Sequence, residues 1–151
     1  MTKSQRMKPL TRVATSRERT AAKELGEYRR TLAAAEAKYA ELATYREEYS
    51  KQLQQSGGSG IDAQQMRDYR VFLTRLNEAI VHQQASVDQR RREYERMRRV
   101  WSEARVRSKS LDKVVERYQK EEISIVERRE QAESDERSIQ QHTQHGKKDG
   151  Y

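Results

Sequence analysis

The chain has 151 residues, of which 33% are hydrophobic and 37% are charged, and its formal net charge is +8. One Phe and one Trp supply too little large apolar surface for a compact globular core of this length. The lack of cysteine excludes a disulfide framework and thiolate metal sites, and the basic charge favours acidic proteins, nucleic acid or anionic membranes as partners.

In the N-terminal third of the chain, the sequence predicts a basic tail over residues 1–8 and a first helix over residues 9–54. Pro9 suits a first helical turn, where its missing N–H is not needed. Leu10 and Val13 begin an apolar stripe weakly. It then recurs at alternating intervals of three and four residues, at Leu25, Tyr28, Leu32, Ala35, Tyr39, Leu42, Arg46, Tyr49 and Leu53. A stripe that repeats every 3.5 residues stays on one side of a helix only if the helix supercoils around a partner.

A Gly/Ser turn is predicted over residues 55–60. Each of its three glycines destabilises helix by about 1 kcal/mol relative to Ala and readily adopts positive φ. Ser59 followed by Asp62 resembles a capping box, so the second helix is predicted to begin near Ile61. Two heptad segments joined by a short flexible turn predict an antiparallel hairpin, with pairing between two chains as the alternative.

The second helix is predicted over residues 61–140, followed by a flexible tail over residues 141–151. Its stripe keeps one phase at Tyr69, Leu73, Leu76, Ile80, Gln83, Val87, Arg90, Tyr94, Met97, Trp101, Ala104, Ser108, Leu111, Val115, Tyr118, Glu122, Ile125, Arg129, Ala132, Glu136 and Ile139. The predicted fold class is therefore all-α, a long antiparallel two-helix coiled coil with an overhanging C-terminal helix.

The overhang is the first predicted interaction surface. Folding at the glycines is expected to bring Leu10 near residue 105, which leaves the later stripe without an internal partner. Leu111, Val115, Tyr118 and Ile125 continue that stripe. An apolar stripe without an internal partner predicts a docking surface, with fraying and self-association as the alternatives.

Two basic runs lie toward the predicted open end of the hairpin. Residues 1–20 hold six Lys or Arg against one acid, and residues 88–109 hold nine against four. Such clusters bind phosphates without sequence preference, or an acidic protein rim. Glu93, Glu95 and Glu103 interrupt the second run and argue against nucleic acid.

A wide apolar strip on the second helix is another candidate surface. Phe72 and Ala79 lie one residue beside the stripe and join Leu76 and Gln83 at i, i+4, i+7 and i+11 spacing. A strip wider than a two-stranded seam requires indicates partner binding. The alternative is that Phe72 folds over the seam and shields it.

No residue pattern indicates catalysis. The glycine turn lacks the Gly-Lys-Ser/Thr ending of a phosphate-binding loop and follows a helix. His142 and His145 are three apart, but they lie in a polar segment without Cys. Carboxylates are interleaved with Arg and Lys, as on solvated helix faces. We expect a protein that is not an enzyme and has no cofactor, metal site or small-molecule substrate.

Several segments resemble the FliJ family of flagellar type III export proteins, and the resemblance covers nearly the whole chain. The order of these segments around the glycine break is its specific part. They are Tyr45-Arg46-Glu47-Glu48-Tyr49, the run from Tyr69 to Ile80 with Gln83, Trp101-Ser102-Glu103-Ala104-Arg105, and Arg129-Glu130-Gln131 with Asp135-Glu136.

The resemblance implies a non-enzymatic component of the flagellar export apparatus, a stalk and chaperone escort similar to the central stalk of rotary ATPases. Its implied partners are the hexameric flagellar export ATPase, the cytoplasmic domain of the membrane export gate and the export substrate chaperones. The chain contains no stretch approaching the roughly 20 apolar residues that span a bilayer. A cytoplasmic protein, peripherally associated with the inner membrane export apparatus, is expected.

Two sets of site residues follow from the surfaces and the resemblance together. The export gate is expected to contact Phe72, Leu76, Ala79 and Gln83. The ATPase ring is expected to contact Lys8, Arg12, Arg17, Leu111, Val115 and Tyr118. Alternatives are a basic coiled coil that binds nucleic acid non-specifically, the equivalent stalk of a needle-type secretion system, and a self-assembling structural rod.

Overall fold

The structure, a computed structural model, describes residues 1–57 and 60–148 and consists of two α-helices packed against each other. Helix α1 spans Lys3–Gly57 and helix α2 spans Ala63–Lys148. These described residues contain no strand, and the predicted all-α hairpin is confirmed. Ser59, from the predicted capping box, and the last three residues of the predicted tail lie outside the described residues.

Helix α1 begins before the predicted start at Pro9, so most of the predicted basic tail is helical. A capping box explains the early start. The Thr2 N–H donates to Gln5 Oε1 (3.1 Å), and the Gln5 N–H donates to Thr2 Oγ1 (3.3 Å). These two bonds satisfy N–H groups that a helix start otherwise leaves without acceptors. Pro9 is accommodated inside the helix.

Both helix ends at the glycine break lie later in the chain than predicted. Helix α1 continues through Gln55 and ends at Gly57, and Gly60 adopts a φ of 80°, a conformation that glycine allows at little cost. Asp62 caps α2 because its Oδ1 accepts the N–H of Gln65 at 2.8 Å. The cap places the first residue of α2 at Ala63 instead of Ile61.

The far end of α2 also differs from the prediction. The helix runs to Lys148, beyond the predicted end at residue 140. His145, Lys147 and Lys148 supply basic groups to its last turn, where they complement the negative end of the helix dipole. Loss of apolar periodicity therefore does not mark the end of this helix.

The contacts within the hairpin divide into two units. The turn unit is Glu18–Ala104, and the terminal unit is Met1–Arg17 with Arg105–Tyr151. Each unit contains a segment of both helices.

In the turn unit, the helices pack through the predicted stripe. Leu76, Ile80 and Val87 are its buried side chains, and Ala21 of α1, which was not predicted, is buried as well. Polar contacts join the two helices: Gln83 Nε2 donates to Ala35 O at 3.0 Å, Arg91 pairs with Glu36 at 3.4 Å, and Arg46 Nη1 donates to Asn77 Oδ1 at 3.3 Å. From the ring pair Tyr49–Tyr69 through Arg46–Asn77 to Ala35–Gln83, residue numbers fall along α1 as they rise along α2, so the pairing is antiparallel.

In the terminal unit, small residues occupy the seam. Ser4, Ala14 and Ser108 are buried, whereas Leu10 and Val13 are 54% and 50% exposed. The prediction that Leu10 and Val13 extend the stripe toward the N-terminus was therefore wrong. Small side chains allow closer approach of two helices. Ser108 belongs to the predicted stripe of α2, whereas Ser4 and Ala14 were overlooked by the search for large apolar residues on α1.

The predicted register of the terminal unit is also corrected. The Ser4 N–H and Ser4 Oγ donate to the Glu122 carboxylate at 3.0 and 2.7 Å, and the Lys3 ammonium lies 5.6 Å from the ring centre of Tyr118. Because α1 starts at Lys3, it covers more of α2 than expected. The stripe residues of α2 from Tyr69 to Glu122 are buried or half-buried, and the stripe residues from Ile125 to Ile139 are exposed.

The predicted overhang therefore begins later. Leu111, Val115 and Tyr118 are half-buried and are not an unpartnered stripe. Ile123, Ile125 and Val126, which follow Glu122, are exposed, and Ile125 was a member of the predicted overhang.

The Glu122 carboxylate ties the start of α1 to α2. Hydrogen bonds from the Ser4 backbone N–H, and then from the Ser4 hydroxyl, lower the pKa of Glu122 below its ordinary value of 4.5. A carboxyl with a lowered folded-state pKa stabilises the structure above its ordinary pKa, and the stabilisation is lost as the pH falls through the lowered value. Acidification through the lowered pKa of Glu122 should thus release this contact.

Replacing Glu122 with Ala is expected to speed amide hydrogen exchange in the first turn of α1 several-fold, because the Ser4 N–H loses its acceptor. NMR at neutral pH measures the rates, and Glu121→Ala, at an exposed neighbouring site, is the matched control. Equal protection of Ser4 in the two variants would contradict a role for Glu122 in holding α1.

Candidate partner-binding surfaces

Four aromatic side chains form a cluster in the turn unit, two from each helix. The Phe72 ring centre lies 4.2 Å from that of Tyr49 and 6.1 Å from that of Tyr45, the latter in an edge-on arrangement. Tyr69 meets Tyr49 edge-on at 5.2 Å. Such pairs add attraction between the ring edges and faces to the burial of apolar area. Phe72 thus covers the seam and also leaves part of its ring exposed.

A groove of about 490 Å³ lies beside this cluster. It is lined by Tyr49, Ser56, Ile61, Gln65, Asp68, Tyr69 and Phe72. The lining combines ring faces with the Asp68 carboxylate, which accepts a hydrogen bond from Gln64 Nε2 at 3.2 Å. Sequence reasoning included Phe72 but missed Ile61 and Asp68 as neighbours, because the conformation of the turn determines where those two lie.

The apolar strip that is predicted to contact the export gate contains both seam residues and residues beside the seam. Leu76 is only 7% exposed, and Gln83 donates its hydrogen bond to Ala35 O, so both hold the helices together. Phe72 is half-buried and Ala79 is exposed. The residues of the strip that a partner can reach without opening the hairpin are therefore Phe72 and Ala79.

The predicted ring residues divide in the same way in the terminal unit. Lys8, Arg12 and Arg17 are exposed, and they form no ion pair with any residue that the structure describes. Leu111, Val115 and Tyr118 are half-buried in the same unit. The basic side chains are thus free to meet an acidic partner, while the apolar set mainly supports the hairpin.

The second basic run contributes a groove of about 600 Å³ on α2, in the turn unit. It is lined by Asp88, Arg91, Arg92, Glu95, Arg96 and Arg99. Two of the six lining residues are acidic, and Arg91 also pairs with Glu36 of α1. This mixture of signs lowers the positive potential that phosphate binding requires.

Two further classes of site are not found within the described ranges. Residues 1–57 and 60–148 contain no group of three or more His, Cys, Asp or Glu side chains placed to hold a metal ion. No helix in these ranges has the length and apolar character of a membrane span.

A family model described as flagellar FliJ protein matches residues 2–147, which include almost all of both helices. The chain belongs to the FliJ family. FliJ proteins are non-catalytic components of the flagellar export apparatus, so the family assigns the protein to flagellar export. Neither the curated proteins nor the solved structures gave a match to this chain.

Proposed function

We propose that this FliJ-family protein is a stalk and chaperone escort that couples the hexameric export ATPase to the membrane export gate. The observation that carries the proposal is a pair of chemically different surfaces on the same two helices. In the terminal unit, Lys8, Arg12 and Arg17 are exposed and form no ion pair with a residue that the structure describes, and the turn unit presents an aromatic surface.

The basic surface of the terminal unit is the proposed contact with the ATPase ring. Lys8, Arg12 and Arg17 lie on the first part of α1, where six basic residues meet one acid within residues 1–20. Opposite potentials speed docking and suppress wrong partners, so an acidic rim in the ring is the matching surface. Leu111, Val115 and Tyr118 are proposed to keep the helices paired while the cations make contact.

The aromatic surface of the turn unit is the proposed contact with the cytoplasmic domain of the gate. Phe72 and Ala79 are the accessible members of the strip, and Leu76 and Gln83 fix them by holding α2 against α1. A rigid aromatic anchor loses little conformational entropy on binding, and such residues often dominate interface energies.

The escort of export substrate chaperones completes the proposal. A protein with separate contacts for the ring and the gate is suited to hand chaperones between them. The proposed location is the cytoplasm, with peripheral association at the inner membrane export apparatus. Retrieval of the hexameric ATPase together with this protein from its native cytosol is the direct test of partnership.

Reversing two charges, Arg12→Glu with Arg17→Glu, is expected to lower stimulation of the export ATPase at least about fivefold at low ionic strength, because the acidic rim then meets like charge. Arg29→Glu with Arg30→Glu makes the same charge change on the same helix, at exposed residues outside the proposed site. Steady-state ATP hydrolysis by the ring, with each variant added, provides the measurement.

Two results would count against the ring contact. One is normal stimulation by the Arg12 and Arg17 variant. The other is an equal loss with the Arg29 and Arg30 variant, which would indicate a general effect of net charge. Circular dichroism confirms that both variants keep their helices.

Replacing Ala79 with Lys is expected to weaken gate binding roughly tenfold or more, because a charge enters an apolar contact without an acceptor. Ala79 is exposed, so the change leaves the seam intact, whereas replacing buried Leu76 would also disturb the hairpin. Ala85→Lys, at another exposed alanine of α2, is the matched control. Titration calorimetry with the cytoplasmic domain of the gate gives the affinities. Unchanged affinity in the Ala79 variant would remove the strip from the proposed interface.

A further inference from the structure

A groove with exposed apolar side chains lies beside the start of α1, within the terminal unit. Ile123 and Val126 of α2 are 58% and 51% exposed. They line a groove of about 590 Å³ together with Thr2, Ser4, Gln5, Lys8, Gln119, Glu122 and Glu127. Sequence reasoning placed the contact surface at Leu111 to Tyr118 and did not single out this groove.

The groove has fixed walls. Its α1 wall begins with the capping box of Thr2 and Gln5, and the Ser4 N–H and hydroxyl are bonded to Glu122 of the α2 wall. Ser4 is also buried. Since these bonds satisfy the first turn of α1, the groove is formed before any partner arrives, and binding requires little ordering of its walls.

The rim of the groove carries opposite charges on its two walls. Lys8 lies on the α1 side and Glu127 on the α2 side, and neither forms an ion pair with a residue that the structure describes. Glu122 differs because both of its oxygens accept hydrogen bonds from Ser4. The groove therefore offers an apolar floor, one free cation site toward α1 and one free anion site toward α2.

We propose that this groove receives an apolar side chain of the ATPase ring, carried on a segment with a carboxylate that faces Lys8 and a donor group that faces Glu127. The inference rests on the proposed function and adds the chemistry of the contact. Continuity argues for this occupant, because Lys8 lines the groove and also belongs to the basic surface that is proposed to contact the ring.

The test replaces Ile123 and Val126, the two apolar residues that form the floor of the groove. The variant Ile123→Ser with Val126→Ser is expected to bind the purified export ATPase roughly tenfold or more weakly than the unaltered protein, since the apolar anchor loses its contact. The matched control is Ile139→Ser with Val81→Ser, which makes the same two chemical changes at residues that are 66% and 68% exposed. Circular dichroism checks that helicity is equal.

The charged rim gives a second readout. Lys8→Glu is expected to weaken binding of the ATPase and to reduce its dependence on salt, because the proposed pair between Lys8 and a ring carboxylate is lost. Affinity that falls in the groove variant and in Lys8→Glu, but not in the control, supports the proposal.

The outcomes separate the groove from the broader function. If the unaltered protein binds the ring and the groove variant binds equally well, the groove inference is overturned and the stalk proposal stands. If the unaltered protein fails to bind the ring, both are overturned. Sedimentation that shows self-association of the unaltered protein, abolished in the groove variant, would assign the groove to a second copy and overturn the proposed occupant.

Discussion

The structure depends on burial of one stripe of side chains along each of two helices. A chain with 33% hydrophobic residues has no other way to remove apolar surface from water over this length. Leu76, Ile80 and Val87 are buried at that seam, while the remaining surface is largely charged. Polar contacts then select one alignment from the many that a repeating stripe permits. Gln83 with Ala35 and Arg91 with Glu36 are such contacts.

The same constraint determines which residues can serve function. A side chain at the seam supports the hairpin, and a side chain beside it can meet a partner. Leu76 and Phe72 illustrate the division, because Leu76 is buried at the seam while the Phe72 ring covers the seam and stays partly accessible. The proposed contacts with the gate and the ring therefore use the flanks of the helices, with seam residues as their supports.

Much of the fold could be predicted from the sequence because heptad spacing is strong where large apolar residues mark it. The phase of the α2 stripe matches the observed burial from Tyr69 to Glu122. The register of the terminal unit could not be found in the same way, because the buried residues that α1 contributes there, Ser4 and Ala14, are small and give little hydrophobic signal. The early start of α1 was available in the spacing of Thr2 and Gln5, a capping-box pattern. The groove at Ile123 depends on where α1 begins, so it required the structure.

The most direct test of the account is the distance between spin labels at residues 36 and 91, whose side chains form an exposed ion pair between the helices. Labelled protein diluted in an excess of unlabelled protein reports only distances within one molecule. Antiparallel pairing within the chain predicts a short distance, close to the helix spacing of about 8–10 Å plus the label linkers. A much longer distance, or a short one that disappears on dilution, would contradict the hairpin.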